Sequence, residues 1–423
     1  MASSATCEVY DNDFVNGGLF LSGSTVNEYV HTIERNTVNQ KKLGYFLNQS
    51  TLALDGAEYG QIIIVNSSFI DVTGGVIDNA TLGVYIGYSD NCTISGLSSV
   101  NNLMYGIYVF QSPDSSLEDC YVDSTEDHGV YFYASDRGNL DNITSINGGS
   151  NGIYFYASEQ CTAETINVTL NEESGIHVED GDNFSGNNVF ERNCTRGIVI
   201  LWSHNSLVQD SSFMHNVDAG ILVSVTDNIT LLDNTISWCY YAVEIGGSED
   251  ANLTGNTALY SVRGFNVFNC PDIVMESNTG SHNEYGFYLS SSSNGYIHSN
   301  YAENNTIRGF YCGGGWQLIN NTARTGPVGF YVAGTMLDIR ENTATENQIG
   351  FLFSIVPATD VDANTISHNT MYGIVLDGCS SLAIENNTLT YNDVVGIFII
   401  NSGSCTLKNN TFMYNTIGLE IQN

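Results

Sequence analysis

The chain has very few positive charges. Its 423 residues contain 11 Lys and Arg against 46 Asp and Glu, which gives a formal net charge of −35. Only three of the cations are lysines, and these are Lys41, Lys42 and Lys408. Proteins that bind nucleic acid or anionic membrane surfaces use Lys and Arg to neutralise phosphates. The composition therefore argues against both kinds of partner.

Proline and long apolar runs are also scarce. The chain has four prolines beside 42 glycines. Because proline cannot donate a hydrogen bond to a sheet, its rarity is typical of chains built from central strands. No apolar stretch reaches the length of a transmembrane helix, and the first residues lack the basic and apolar regions of a signal peptide. Because 42% of the residues are hydrophobic, the chain has enough apolar surface to bury, which argues against disorder.

A glycine followed by an apolar–any–apolar triplet recurs along most of the chain. Residues one and three places after each glycine are apolar, and this alternation indicates a strand with one buried face. The pattern predicts an all-β fold, a single-stranded right-handed parallel β-helix solenoid of about 17 rungs of 20–23 residues. The anchors are Gly60, Gly83, Gly106, Gly129, Gly152, Gly175, Gly197, Gly220, Ala242, Gly264, Gly286, Gly309, Gly329, Gly350, Gly373, Gly396 and Gly418.

An asparagine column follows the repeat from Asn234 to Asn410, and we interpret it as an amide ladder at a tight turn. The repeat predicts a parallel β-helix over residues 56–423, after an irregular capping or bridging segment over 1–55. The last repeat lies at the end of the sequence, so we expect an uncapped C-terminal edge. Such an edge can pair with another chain.

The segments GIYFYASEQCTAETINVT and GILVSVTDNITLLDNTIS resemble the parallel β-helix repeats of NosD-type and pectate-lyase-like proteins. The closest similarity is to the Asn- and Thr-rich version found on archaeal surface proteins. The resemblance covers about residues 60–423. It implies a scaffold that carries lyases, hydrolases, accessory proteins and purely structural surface proteins.

Catalytic motifs of these enzymes are absent from the sequence, so no residue is a firm catalytic candidate. The densest group of titratable residues is His177, Glu179, Asp180 and Asp182, and these four are weak catalytic candidates. An acidic column seven or eight residues after the anchors offers oxygen ligands for Ca²⁺ at Asp136, Glu159 and Asp182. The alternative interpretation of that column is a solvated turn, because Asp favours turns. No other cofactor is expected.

Aromatic residues recur at outward positions of neighbouring rungs. Stacking between adjacent strands is one explanation, and a surface for a partner subunit or a sugar is the other. In the first half of the chain these outward residues are Tyr85, Tyr108, Phe110, Tyr131, Tyr133, Tyr154 and Tyr156. Among the ten cysteines, Cys7 precedes the regular repeat and is a candidate for an inter-subunit bond.

These features lead to three hypotheses about function. The first is an exported, non-enzymatic structural protein that self-assembles, edge to edge and laterally, into a cell-envelope layer, sheath or fibre. The second is a carbohydrate-binding or polysaccharide-degrading β-helix, and the third is a NosD-like accessory protein. All three place the protein outside the cell or at its surface, with its leader absent from this chain.

Overall fold

The computed structural model describes residues 6–422 in two compact units. Unit 1 comprises Met1–Leu207 and Ser211–Val217, and unit 2 comprises Val208–Asp210 and Asp218–Asn423. Each unit is a right-handed parallel β-solenoid without an α-helix among its described residues. Two short 3-10 turns occur, at Val26–Tyr29 and Gly56–Glu58.

One strand per coil forms the first sheet, which we call sheet A. In unit 1 its strands are Asp13–Phe14, Thr37–Val38, Lys41–Leu47, Tyr59–Val65, Val84–Gly87, Ile107–Phe110, Val130–Tyr133, Ile153–Tyr156, Ser174–Glu179 and Arg196–Leu201. In unit 2 they are Ala219–Ser224, Tyr241–Gly246, Arg263–Phe268, Tyr285–Ser290, Arg308–Gly313, Val328–Ala333, Ile349–Ser354, Tyr372–Asp377, Val395–Ile400 and Ile417–Gln422.

The rest of each coil contributes shorter strands to a second sheet, sheet B. In unit 1 these are Ser50–Asp55, Ser68–Thr73, Val76–Asp78, Thr93–Ser95, Ser98–Val100, Ser116–Glu118, Tyr121–Asp123, Asn139–Asp141, Thr144–Ile146, Thr162–Thr169, Ser185–Arg192 and Ser212–Met214. Leu207–Gln209 is divided between the units. In unit 2 they are Thr230–Leu232, Thr235–Ser237, Asn252–Thr254, Thr257–Leu259, Val274–Glu276, Thr279–Ser281, Gly295–His298, Tyr301–Glu303, Trp316–Ile319, Thr322–Arg324, Asp338–Arg340, Thr343–Thr345, Asp360–Asp362, Thr365–Ser367, Ala383–Glu385, Thr388–Thr390, Thr406–Lys408 and Thr411–Met413. Glu8–Tyr10 pairs separately with Thr32–Glu34.

The predicted fold class is confirmed, but the predicted number of rungs is too low. The structure has about 19 coils instead of 17. Strands before residue 56 extend sheet A, where Lys41–Leu47 pairs in parallel with Tyr59–Val65. Tyr45 lies opposite Ile63 in that pair, a spacing shorter than the 20–23 residues of the repeat, which is why the sequence pattern missed it. Thr37–Val38 pairs with Lys41–Leu47 in the antiparallel sense.

The anchor glycines allow neighbouring coils to approach closely. A Cβ atom at Gly286 would lie 2.7 Å from the carbonyl oxygen of Gly309, which no side chain tolerates. Beside this column, apolar side chains of successive coils stack in the core. The rings of Phe265, Phe287 and Phe310 follow one another with centroid separations of 4.8 and 4.5 Å. Fully buried phenylalanines thus fill the interior of unit 2.

The asparagine column forms the expected ladder in unit 2. The Asn300 amide donates 2.8 Å to the Met275 carbonyl of the preceding coil and 3.0 Å to Oδ1 of Asn321 in the next coil. Its own Oδ1 accepts the backbone and side-chain N–H groups of Asn278, both at 2.9 Å. One buried asparagine therefore satisfies polar groups in three consecutive coils.

In unit 1 serine hydroxyls make an equivalent ladder at another turn. The backbone N–H of Ser89 donates 3.0 Å to the Ser112 hydroxyl, and the N–H of Ser112 donates 3.0 Å to the Ser135 hydroxyl. Each of these hydroxyls also donates to a carbonyl two residues earlier in its own coil. Buried turns of both units are thus closed by side chains that repeat once per coil.

We expect Asn300→Ala to lower the free energy of unfolding by about 2–3 kcal/mol, because it leaves several buried donors and acceptors without partners. Urea unfolding followed by circular dichroism measures the change. Asn320→Gly is the matched control, since the exposed Asn320 has φ of 54° at the equivalent turn of the next coil and glycine accepts that conformation. Equal losses in the two variants would contradict a stabilising ladder.

Candidate functional site

The outward aromatic residues of unit 1 lie together on the outer face of sheet A. Tyr108, Tyr131 and Tyr154 are in register, with ring centroids 5.0 Å apart and planes within 8° of parallel. Phe110, Tyr133 and Tyr156 form a second row with 5.3 Å between neighbouring centroids. All six side chains are partly exposed. We call these two rows the tyrosine face.

The stacked rings of the tyrosine face cover one another, which leaves each of them only partly exposed. Burial is the main cause that raises the pKa of Tyr108, Tyr131 and Tyr154, and it raises the pKa of the neighbouring Tyr105 to about 12. These phenols are therefore protonated hydrogen-bond donors at neutral pH. Stacking between strands, one of the two explanations from sequence, accounts for the row's geometry.

Tyr85 does not share this exposure, although its sequence position matches. Its ring is buried because the 3-10 turn Val26–Tyr29 folds over it, with the Tyr29 and Tyr85 rings 5.9 Å apart. The Tyr85 hydroxyl donates 2.9 Å to the Tyr29 hydroxyl. The expectation of an exposed Tyr85 is wrong because the repeat pattern carries no information about the segment before it.

Two of the four weak catalytic candidates meet at the edge of the tyrosine face. The Tyr154 hydroxyl donates 2.7 Å to Oε2 of Glu179, and Nε2 of His177 lies 3.6 Å from the same oxygen. Both carboxylate and imidazole point outward from the strand Ser174–Glu179. Asp180 and Asp182 follow in the turn, where Oδ1 of Asp182 accepts the backbone N–H of His204 at 2.7 Å.

The environment of His177 limits what this cluster can do. Burial lowers the pKa of His177 to about 4, and the nearby Glu179 carboxylate opposes that shift. Within the described residues its Nε2 has no hydrogen-bond partner. A neutral imidazole with so low a pKa is a weak general base at pH 7 but can donate or accept a hydrogen bond. The cluster therefore suits ligand binding better than proton transfer.

The acidic column has a structural use at two of the three positions predicted for calcium. Oδ1 of Asp136 accepts the backbone N–H of Glu159 at 3.0 Å, as Asp182 does for His204. Across residues 6–422 no three His, Cys, Asp or Glu side chains form a group that could hold a metal ion. Calcium binding at Asp136, Glu159 and Asp182 stays a prediction without a converging ligand set.

Eight of the ten cysteines are buried. Cys92, Cys161 and Cys312 are buried, and all ten cysteines are free thiols in the structure. Cys7 is exposed, and its backbone N–H donates 3.2 Å to Nδ1 of His31. Its role between subunits stays a prediction.

A buried acid in unit 1 was missed from the sequence. Glu191 points into the core between Val168 and Phe213 of the adjacent coils and has no exposed surface. The Asn216 amide donates 2.6 Å to its Oε2. Burial raises the pKa of Glu191 to about 8, so this carboxyl is predominantly protonated at pH 7.

A second group of aromatic residues, in unit 2, was also missed. Trp238, Tyr260 and His282 occupy the same turn in three successive coils, each with φ between 52° and 60°. The Trp238 and Tyr260 rings stack at 4.6 Å, and the Tyr260 and His282 rings are 5.1 Å apart. Trp238 is 53% exposed and Tyr260 is 44% exposed. We call these three residues the turn platform.

The turn platform borders a shallow concavity of about 400 Å³, which is also lined by Glu284 and Thr306. Bulky aromatic residues rarely adopt positive φ, a conformation that asparagine tolerates, as Asn304 does at the next coil of this column. The positive φ belongs to the turn itself, since His368, Tyr391 and Tyr414 also adopt it at later coils of the same column. The sequence signal was present, since aromatic residues replace Asn in this turn column.

Comparison with known families identifies the fold family. A model described as "Right handed beta helix region" matches residues 60–213 and 198–344, which is more than half of the chain. The chain belongs to the right-handed β-helix family. No curated protein matches this β-helix chain.

A second model, described as periplasmic copper-binding protein (NosD), matches residues 315–423 of the β-helix. Copper is held in proteins by converging soft or imidazole ligands. In this segment His368 stacks on Tyr391 at a turn, and the buried Cys379 thiol donates to the backbone carbonyls of Phe353 and Asp377. The described residues also contain no group of side chains that could hold a metal ion. The positions of His368 and Cys379 therefore do not fit a copper centre.

Several solved structures are similar to the β-helix at low identity. The tailspike protein 2 domain of bacteriophage CBA120 is 12% identical with a TM-score of 0.42, over 56% of this chain and 43% of that one. This chain thus spans less than half of the tailspike domain. The mannuronan C-5 epimerase A-module of Azotobacter vinelandii is 12% identical with a TM-score of 0.37, over 84% and 88%. The surface adhesin PfbA of Streptococcus pneumoniae is 13% identical with a TM-score of 0.28, over 84% and 85%.

Between residues 6 and 422, no helix has the length and apolar character that a bilayer span needs.

We expect His177 to titrate near pH 4, well below the 6.5 of an unperturbed histidine. Because the unfolded chain binds this proton more tightly, His177 contributes stability that is present above about pH 6.5 and is lost as the pH falls towards 4. An NMR titration of the imidazole signals measures the pKa directly. Glu179→Gln removes the carboxylate that raises this pKa, so the titration midpoint of His177 should be lower still in that variant. A midpoint near 6.5 in the parent chain would contradict a buried ring.

Proposed function

We propose that this chain is an extracellular or envelope β-helix that binds a carbohydrate chain at the turn platform of unit 2. The observation that carries the proposal is the pair of stacked, half-exposed rings of Trp238 and Tyr260 above a concavity. A pyranose ring has a C–H face that packs on an aromatic ring and hydroxyl groups around its rim. Exposed aromatic residues with nearby polar groups suit such a ligand.

Polar groups for the sugar hydroxyls stand beside the rings. Glu284 and Thr306 line the concavity and are exposed, and His282 continues the platform with a ring that can donate and accept hydrogen bonds. The backbone beneath is firmly held, because the N–H of His282 donates 3.0 Å to the Glu303 carbonyl of the next coil. A platform on a hydrogen-bonded turn loses little conformational freedom on binding.

We expect Trp238→Ala and Tyr260→Ala each to weaken oligosaccharide binding about tenfold, since each removes one stacking ring. Isothermal titration calorimetry with cellohexaose, mannohexaose and oligogalacturonate measures the affinities. Tyr391→Ala is the matched control, because Tyr391 has a φ of 54°, is exposed and stacks on Tyr414 in the same turn column. Equal weakening by Tyr391→Ala would contradict this location, and no binding of any probe would contradict the function.

A second proposed function is self-assembly into a layer, sheath or fibre at the cell surface. The tyrosine face of unit 1 supports it, because contiguous aromatic surfaces of this kind often pack against a second protein. The exposed Cys7 thiol offers a covalent link between copies, and the acidic column offers carboxylates for a bridging cation. Glycan binding at the turn platform of unit 2 and assembly through the tyrosine face of unit 1 are compatible, since the two surfaces are separate.

We expect the sedimentation coefficient of the chain to rise with concentration. Tyr133→Ser with Tyr156→Ser should reduce this association, because both side chains lie in the second row of the tyrosine face. Sedimentation velocity with and without reductant and chelator makes the measurement and tests Cys7 and cations in the same series. Tyr391→Ser serves as the exposed aromatic control from outside the face. Monodisperse monomers under every condition would rule out assembly.

A further inference from the structure

Two arginines of unit 2 differ from most cations in this chain. At least six of the 11 Lys and Arg side chains have a carboxylate within 4 Å. Arg263 and Arg308 have none among the described residues, although acidic groups outnumber basic ones about fourfold. Both emerge from sheet A, on strands Arg263–Phe268 and Arg308–Gly313, with Tyr285 in register between them. They therefore lie two coils, or about 10 Å, apart.

Stacked tyrosines hold the two guanidinium groups flat. The Arg263 guanidinium carbon is 3.7 Å from the centre of the Tyr288 ring, and that of Arg308 is 3.7 Å from the centre of the Tyr331 ring. Tyr311 lies between these rings, with centroid distances of 4.4 and 5.3 Å. We call these five residues the arginine–tyrosine face.

The stacking orders the arginines and leaves N–H groups for a partner. Nη1 of Arg263 donates 2.7 Å to Oδ1 of Asn266, and within the described residues the Arg308 guanidinium donates no hydrogen bond. Both arginines are partly exposed. A guanidinium stacked on an aromatic ring keeps its edge free for bidentate pairing with a carboxylate. Because the stacking already restricts the arginine side chain, the pairing costs less conformational entropy.

A matching row of carboxylates lies on unit 1. Glu118, Asp141 and Glu164 are exposed on sheet B and in register in three successive coils. None has a cation within 4 Å among the described residues, and like charges directly opposite one another destabilise a sheet. Glu118 and Glu164 are two coils apart, which is also the separation of Arg263 and Arg308.

We infer that the arginine–tyrosine face of one copy binds the Glu118–Asp141–Glu164 row of a second copy. This inference rests on the second proposed function, assembly, and adds to it a contact separate from the tyrosine face. The arginines and the carboxylate row have the same spacing, because both follow the coil repeat. When two copies pack side by side, Arg263 and Arg308 can therefore each meet a carboxylate at the same time. The two surfaces differ, so the contact is heterologous and continues from copy to copy unless it closes into a ring.

A charge-exchange experiment tests the contact by sedimentation velocity of the full chain. The double variant Arg263→Glu with Arg308→Glu should associate at least about tenfold more weakly than the parent chain, because attraction becomes repulsion. Glu118→Arg with Glu164→Arg should weaken association to the same extent. An equimolar mixture of the two variants should associate again, because each supplies the surface that the other lacks. Restoration on mixing also shows that both variants are folded.

Arg324→Glu with Arg340→Glu is the matched control, since it changes the net charge equally at arginines that already have carboxylate partners. Equal weakening in this control, or failure of the mixture to associate while the parent chain does, would overturn the contact and leave assembly standing. A parent chain that stays monomeric would overturn both. Binding of oligogalacturonate that is lost only in the Arg263→Glu, Arg308→Glu variant would assign the face to an acidic glycan and overturn the inference.

Discussion

The fold depends on hydrogen bonding between identical positions of successive coils. Each coil lies about 4.8 Å from the next, so every backbone N–H, carbonyl and side chain meets its counterpart one repeat later. Buried turns in such a stack have polar groups that solvent cannot reach. The asparagine ladder of unit 2 and the serine ladder of unit 1 satisfy them with side chains that recur once per coil. The same polar residue therefore recurs once per coil in the sequence.

In-register stacking multiplies both favourable and unfavourable contacts. A column of phenylalanines gains ring stacking at each coil, as Phe287 and Phe310 do. A column of carboxylates accumulates repulsion, unless its members accept backbone N–H groups as Asp136 and Asp182 do. Residues that depart from their column are therefore the informative ones. Trp238, in a turn column that also holds asparagines, and Glu191, between Val168 and Phe213, are departures of this kind.

Much of the fold follows from the sequence because a strict period constrains it strongly. Spacing alone gives the parallel sheets, the inward apolar columns and the asparagine ladder. The first coils were not recognised because the spacing between Lys41–Leu47 and Tyr59–Val65 is shorter than that of the repeat. Tyr85 was misjudged because its neighbour, Tyr29, belongs to a segment outside the repeat. The repeat carries no information about contacts that residues outside it make.

The candidate sites are less predictable because they combine residues at different offsets of the repeat. Tyr154 and Glu179 occupy different columns, so their hydrogen bond depends on side-chain direction as well as register. Glu191 shows the opposite case, since its column is apolar in the neighbouring coils and its burial follows directly from register. Alternation predicts that this carboxyl points inward, although its type argues for an outward position. Register prevails because turning one residue outward would turn its neighbours Phe190 and Arg192 inward as well.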